Sequence, residues 1–149
     1  MVNKMNENME LLIHIYKTAE MGAYSTKKLL SNLKERDNKI KNLLEYEIEE
    51  YEKYKKLSKS LLINNDITPK DNGMFTKMSS NMGIMMETIK DNSDSAIASM
   101  LIEGMTMGIT EMSSKINKYK DITNNKIIKL AKKFLKFHEK EINKLKTFM

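Results

Sequence analysis

Cysteine is absent from this chain of 149 residues. Disulfides, thiolate metal sites and a cysteine nucleophile are therefore excluded. Tryptophan is also absent, Pro69 is the only proline, and there are five glycines. With so few helix breakers, long helices can run uninterrupted. Arginine occurs once, at Arg36, and histidine twice, at His14 and His138. Bidentate recognition of phosphates or base edges is thus nearly missing. No apolar run approaches the roughly 18 residues of a spanning helix. The closest, residues 96–112, is broken by Glu103, Thr106 and Thr110. Residues 1–10 have neither an apolar centre nor a small-residue cleavage site, so no signal peptide is expected.

What remains is rich in Leu, Ile, Met, Lys and Glu, a helix-forming mixture. The length favours one domain over residues 1–149. The reading is an all-α protein of the cytoplasm. Five helical segments are expected. The first covers about residues 7–33, with an inward stripe of Leu12, Tyr16, Ala19, Ala23, Thr26, Leu30 and Leu33. Asp37 is the expected N-cap of a second helix running to residue 63, with Ile40, Leu44, Ile48, Tyr51, Leu57 and Leu61 inward. Thr68-Pro69 precedes a short Met-rich helix over 74–90. Residues 91–94 break it and cap the next helix, 95–119. Thr123 is a candidate cap for the last helix, 126–148. Its stripe is Ile128, Ala131, Leu135, His138, Ile142 and Leu145.

Residues 16–58 and 102–145 read as two versions of one sequence. Met21-Gly22 aligns with Met107-Gly108, Asn38-Lys39-Ile40 with Asn125-Lys126-Ile127, and Tyr51-Glu52-Lys53 with His138-Glu139-Lys140. A one-residue slip in offset falls between two helices, where a loop absorbs it. Two helical hairpins, 7–63 and 95–149, are thereby joined by a crossover over 64–94. Helix order, crossover length and internal repeat resemble the ferritin-like superfamily, including uncharacterised and spore-coat-type members from Gram-positive bacteria. The resemblance implies an antiparallel four-helix bundle with pseudo-two-fold symmetry, here with an extra short Met-rich helix in its long crossover.

The resemblance also supplies a test for metal. Ferritin-like di-metal proteins carry a Glu on one helix of each hairpin and a Glu-x-x-His on the other, all inward. Here His138 stands at an imidazole position, but Leu135 stands three residues earlier. The matching pair in the first hairpin is Tyr51 and Ile48. Both motifs are missing, so no metal cofactor and no catalytic residue is expected. The alternative is an iron- or manganese-dependent oxidoreductase or metal-storage protein, using Glu20, Glu47, Glu103 and His138. In that alternative Glu20 and Glu103 lie at mid-helix, and Glu47 beside the apolar stripe. There is no phosphate loop and no HExxH, and His14 lies beside a stripe rather than at a cleft.

Three further patterns bear on partners. The 14 methionines include Met74, Met78, Met82, Met85 and Met86 on one stripe. They are read as adaptable core filling, with Cu(I) binding, self-association into a homo-oligomer or a protein partner as the sharper options. Gly104 and Gly108 share a helix face and are expected to pack tightly against Gly22-Ala23, with Gly108→Leu strongly destabilising. From Lys115 onward, eleven lysines face only Asp121, Glu139 and Glu141. That basic face could track a nucleic acid or an anionic membrane surface, but no aromatic residue is interleaved with it. The favoured reading is a structural or protein-interaction module without nucleic acid.

Overall fold

The computed structural model describes residues 2–69, 91–119, 121 and 124–149, and side chains among them from residue 8 onward. Within these there are four helices and no strand: α1 (Val2–Asn32), α2 (Lys41–Asn64), α3 (Asp94–Tyr119) and α4 (Asn125–Lys146). The Met-rich stripe of residues 74–90 and the candidate cap Thr123 lie outside the described residues. No helix among the described residues is long and apolar enough to cross a membrane.

The helix ends follow from local side chains, with one correction. Ser93 caps α3, its hydroxyl accepting from the Ala96 N–H at 3.2 Å. Asn124 caps α4 in the same way, accepting from Lys126 N–H at 2.8 Å. These are the short polar residues that satisfy orphan donors of a first turn. At the end of α2, Asp66 takes a left-handed conformation (φ 62°). The Ile67 N–H then reaches back to Leu62 O at 2.9 Å, and Asp66 N–H to Ile63 O, also at 2.9 Å. This closes the helix as a Schellman turn. Asp37 does not cap α2. Its N-cap residue is Ile40, which makes no side-chain cap hydrogen bond. The service comes from α3: Asp94 accepts from the backbone N–H groups of Lys39 (3.1 Å) and Ile40 (3.4 Å) and from Asn38 Nδ2 (2.9 Å). One carboxylate thus sits at the positive ends of two helices.

Buried apolar side chains from all four helices form one cluster. Packing is most extensive between α1 and α2 and between α3 and α4. Lys27 pairs with Glu52 at 2.8 Å and Lys55 with Glu20 at 3.6 Å, tying α1 to α2. Glu10 of α1 receives both Lys115 (3.3 Å) and the Tyr119 hydroxyl (2.6 Å) of α3. The Asn8 side chain accepts from Asn124 N–H at 2.6 Å, so the start of α4 is held against α1.

The inward faces of α2 and α4 differ from the apolar stripes drawn above. In α2 the buried positions are Leu44, Glu47, Tyr51, Tyr54, Ser58 and Leu62, following Ile40. Ile48 and Leu61 are only partly covered, and Leu57 is 44% exposed. In α4 the buried face includes Ile127, Ala131, Phe134, His138, Glu141 and Leu145, with Leu135 and Ile142 at its margin. The steps are of four and three residues, the spacing of a helix seam. On α1 the face runs through Leu29, with Leu30 half-buried.

Candidate functional site

The α2–α4 seam brings chemistry-bearing residues into the core. Tyr51 and His138 meet at its middle, Tyr51 Oη to His138 Nε2 at 3.4 Å. The other ring nitrogen, Nδ1, lies 2.9 Å from the Phe134 carbonyl. A carbonyl only accepts, so the proton belongs on Nδ1 and the Nε2 lone pair takes the tyrosine O–H. Burial holds His138 down at about 4, neutral at ordinary pH. Around this pair the rings close in. Phe134 lies 4.5 Å from His138 and Phe137 lies 5.3 Å from Tyr51, both edge-on, and Tyr54 is 4.6 Å from Phe134. Edge-to-face contacts of this kind add to the area they bury. Tyr54 also donates to the Lys133 carbonyl at 3.3 Å.

One turn from this layer, Glu47 of α2 faces Glu141 of α4. They are 0% and 1% exposed. Lys144 reaches in to Glu141 Oε2 at 3.0 Å and covers the Tyr46 ring at 4.3 Å. With both carboxyls ionised, neither oxygen of Glu47 nor Oε1 of Glu141 has a hydrogen-bond partner. Such a pair is costly without a donor. A proton on Glu47 resolves it, because the protonated carboxyl can donate to Glu141. Burial, that hydrogen bond and the charge of Glu141 all push Glu47 upward.

On the other side of the Tyr51–His138 pair, a cavity of about 70 Å³ opens between α1 and α3. Gly22, Ser25 and Thr26 line it from α1, and Gly104, Met105 and Gly108 from α3. The expected close approach of the glycines to one another is corrected here. A methyl group at Gly22 would meet the Tyr51 ring at 2.5 Å, whereas one at Gly108 would meet only His138 Nε2 at 3.9 Å, and one at Gly104 nothing within 4 Å. Each of Gly22 and Gly108 faces a ring on the next helix of its own hairpin, and only Gly22 is tight.

Of the four residues in the metal alternative, the structure buries three and leaves one outside. Glu103 is exposed. Glu20 is 8% exposed and lies by Lys55. Glu47 sits at the centre of its seam rather than beside it, facing Glu141. His138 has both ring nitrogens engaged. Among the described residues no group of three or more histidines, aspartates or glutamates is placed to hold a metal ion. Sequence reasoning missed Glu141 and the inward place of Glu47. The signal that marks them is the alternating spacing, which runs through both residues despite their charge. No family model, curated protein or solved structure matches the chain.

Proposed function

We propose that this chain is a ferritin-like bundle of two antiparallel hairpins, acting as a non-catalytic structural or protein-interaction module with no resident metal. The fold reading is supported by contacts whose numbers fall on one helix as they rise on its partner, as where Glu20 and Lys27 of α1 meet Lys55 and Glu52 of α2. Glu47, Tyr51 and Tyr54 meet Glu141, His138 and Lys133. Glu10 and His14 likewise meet Lys115 and Glu111. The starts of α2 and α3 are joined through Asp94, so the two helices begin at the same end of the bundle, an arrangement that ferritin-like topology shares. The repeat is supported by the buried faces. The separation of 87 between Tyr51 and His138 also relates Ile40 to Ile127, Leu44 to Ala131, Glu47 to Phe134, Tyr54 to Glu141 and Ser58 to Leu145.

The observation that carries the functional reading is the state of His138. Its Nε2 accepts from Tyr51 and its Nδ1 donates to Phe134, with rings packed on several sides. The imidazole at the centre of the bundle serves as a packing and hydrogen-bonding element. Elemental analysis of protein purified without added metal tests this. Iron, manganese and zinc are expected below stoichiometric amounts; one equivalent of any of them, lost in His138→Phe, overturns the proposal.

A further inference from the structure

Helix α4 carries eight lysines and two glutamates. Its net charge therefore equals the +6 of the whole chain. Lys129, Lys133, Lys136 and Lys140 follow steps of four, three and four residues. They form one ridge on the side of α4 opposite His138, and all four are exposed. At 1.5 Å per residue the ridge is about 16 Å long. Among the described residues none of the four has an acidic partner within ion-pair distance; the α4 lysine that does is Lys144, with Glu141. Four like charges held in line on a rigid rod repel one another, and a regular polyanion relieves that repulsion.

The surroundings of the ridge narrow the partner. A membrane surface takes apolar side chains together with charge. Among the described residues the exposed large apolar ones are Tyr24, Tyr46, Leu57, Ile63 and Met107 on the other helices, and Met149 beyond the end of α4. Single-stranded nucleic acid needs aromatic platforms, and Phe134 and Phe137 are buried. Reading of base edges favours arginine forks, and Arg36 lies in the α1–α2 connection. Lysine point charges without rings or forks suit a duplex backbone, which presents one negative charge per roughly 1.7 Å of axis. We propose that the Lys129–Lys133–Lys136–Lys140 ridge docks on the phosphate backbone of double-stranded DNA without reading its sequence. This gives the module proposed above a partner, and rests on that reading.

The test is fluorescence anisotropy with two labelled duplexes of unrelated sequence, the corresponding single strand, and vesicles of anionic phospholipid. Both duplexes should bind alike and more tightly than strand or vesicle. With four phosphates neutralised, the salt slope is about −3.6, so raising salt from about 50 to about 200 mM weakens binding about 150-fold. Lys129→Gln/Lys133→Gln/Lys136→Gln/Lys140→Gln, checked for helicity by circular dichroism, should abolish binding. Lys136→Gln/Lys140→Gln should halve the slope if the fourfold variant does not fold. Lys28→Gln/Lys34→Gln, near the end of α1 and just beyond it, should leave affinity unchanged. Absent duplex binding at low salt, tighter vesicle binding, or affinity indifferent to the ridge variants overturns the proposal. Failure here in metal-free protein leaves the reading of the bundle standing, whereas stoichiometric metal would remove that reading first.

Discussion

Glu47→Gln keeps the shape of a fully buried side chain while removing its proton chemistry. In the folded chain the carboxyl faces Glu141 in a seam closed to water, and it is pushed up to about 9 from an ordinary 4.5. The folded protein therefore holds a proton that the unfolded chain has already released across that whole interval. Stability contributed at low pH is lost as pH rises through it, by about 1.4 kcal/mol per unit for one proton. From 4.5 to neutrality the accumulated cost is about 3 kcal/mol, a large share of a typical 5–15 kcal/mol total. Glutamine is neutral at every pH, and its amide can still donate to Glu141. Urea unfolding followed by circular dichroism should show Glu47→Gln more stable than wild type by about 3 kcal/mol near pH 7. The gap should nearly vanish near pH 4.5 and widen toward pH 9. A variant less stable than wild type at alkaline pH, or a gap that does not change with pH, would refute the shared-proton account of the seam.

Three other outcomes follow from the same geometry. Tyr51→Phe should cost about 1 kcal/mol, the ordinary loss for one buried hydrogen bond. It should also raise the titration of His138 above about 4, seen by NMR of the ring, because the O–H that favours neutral Nε2 is gone. Gly22→Ala should destabilise by about 1–3 kcal/mol, since its methyl would drive into the Tyr51 ring. Gly104→Ala and Gly108→Ala should instead be neutral or stabilising by up to about 1 kcal/mol in thermal unfolding, because both have room. Finally, wild-type stability should peak near pH 6.5 in a urea series. Burial holds His14 and His138 at about 4, so each costs about 1.4 kcal/mol per unit as pH falls from 6.5, while Glu47 returns half of that sum and is the opposing cost above it. A monotonic profile between about pH 5 and 8.5 would contradict the assignment.

The helices were legible because nothing in the chain interrupts them, and α1 to α4 end within a few residues of the expected positions. Ser93 could be read as a local cap, whereas the capping of α2 by Asp94 could not. Its donors lie 54 to 56 residues away in sequence, and only packing brings them together. Tyr51 and His138 were found on their inward faces because both are large and lie on the period. Glu47 and Glu141 were not. A stripe drawn through greasy residues prefers Ile48, Leu57, Leu135 and Ile142, and a buried carboxyl is expensive enough to be set outside by default. The four-three spacing through Leu44, Glu47, Tyr51, Tyr54 and Ser58 contained the correct face. Polarity overrode it, because the compensating partners Glu141 and Lys144 belong to another helix. The contact of the glycines was misplaced for a related reason: glycine spacing tells where backbones could approach, not which side chain uses the room.

The division of labour along the α2–α4 seam follows from how the two helices cross. Tyr51 and His138 meet at its middle. If the hairpins are related by a two-fold axis through that contact, each position of α2 faces not its own counterpart on α4 but the counterpart of the position equally far on the other side of Tyr51. Glu47 therefore meets Glu141 instead of Phe134, and Tyr54 meets Phe134 instead of Glu141. Polar groups gather on one side of the central pair and rings on the other. On the ring side Tyr54 packs against Phe134 and Phe137. The carboxyl side is opened to solvent chemistry only through Lys144, whose side chain is 48% exposed and whose ammonium holds one of the four carboxyl oxygens. Losing Lys144 would leave Glu141 without its cation and make the proton on Glu47 still harder to remove. Burial and Glu141 set the protonation of the core, and the outer end of α4 modulates it through a residue that shares its helix with the lysine ridge but reaches back to the buried carboxyls.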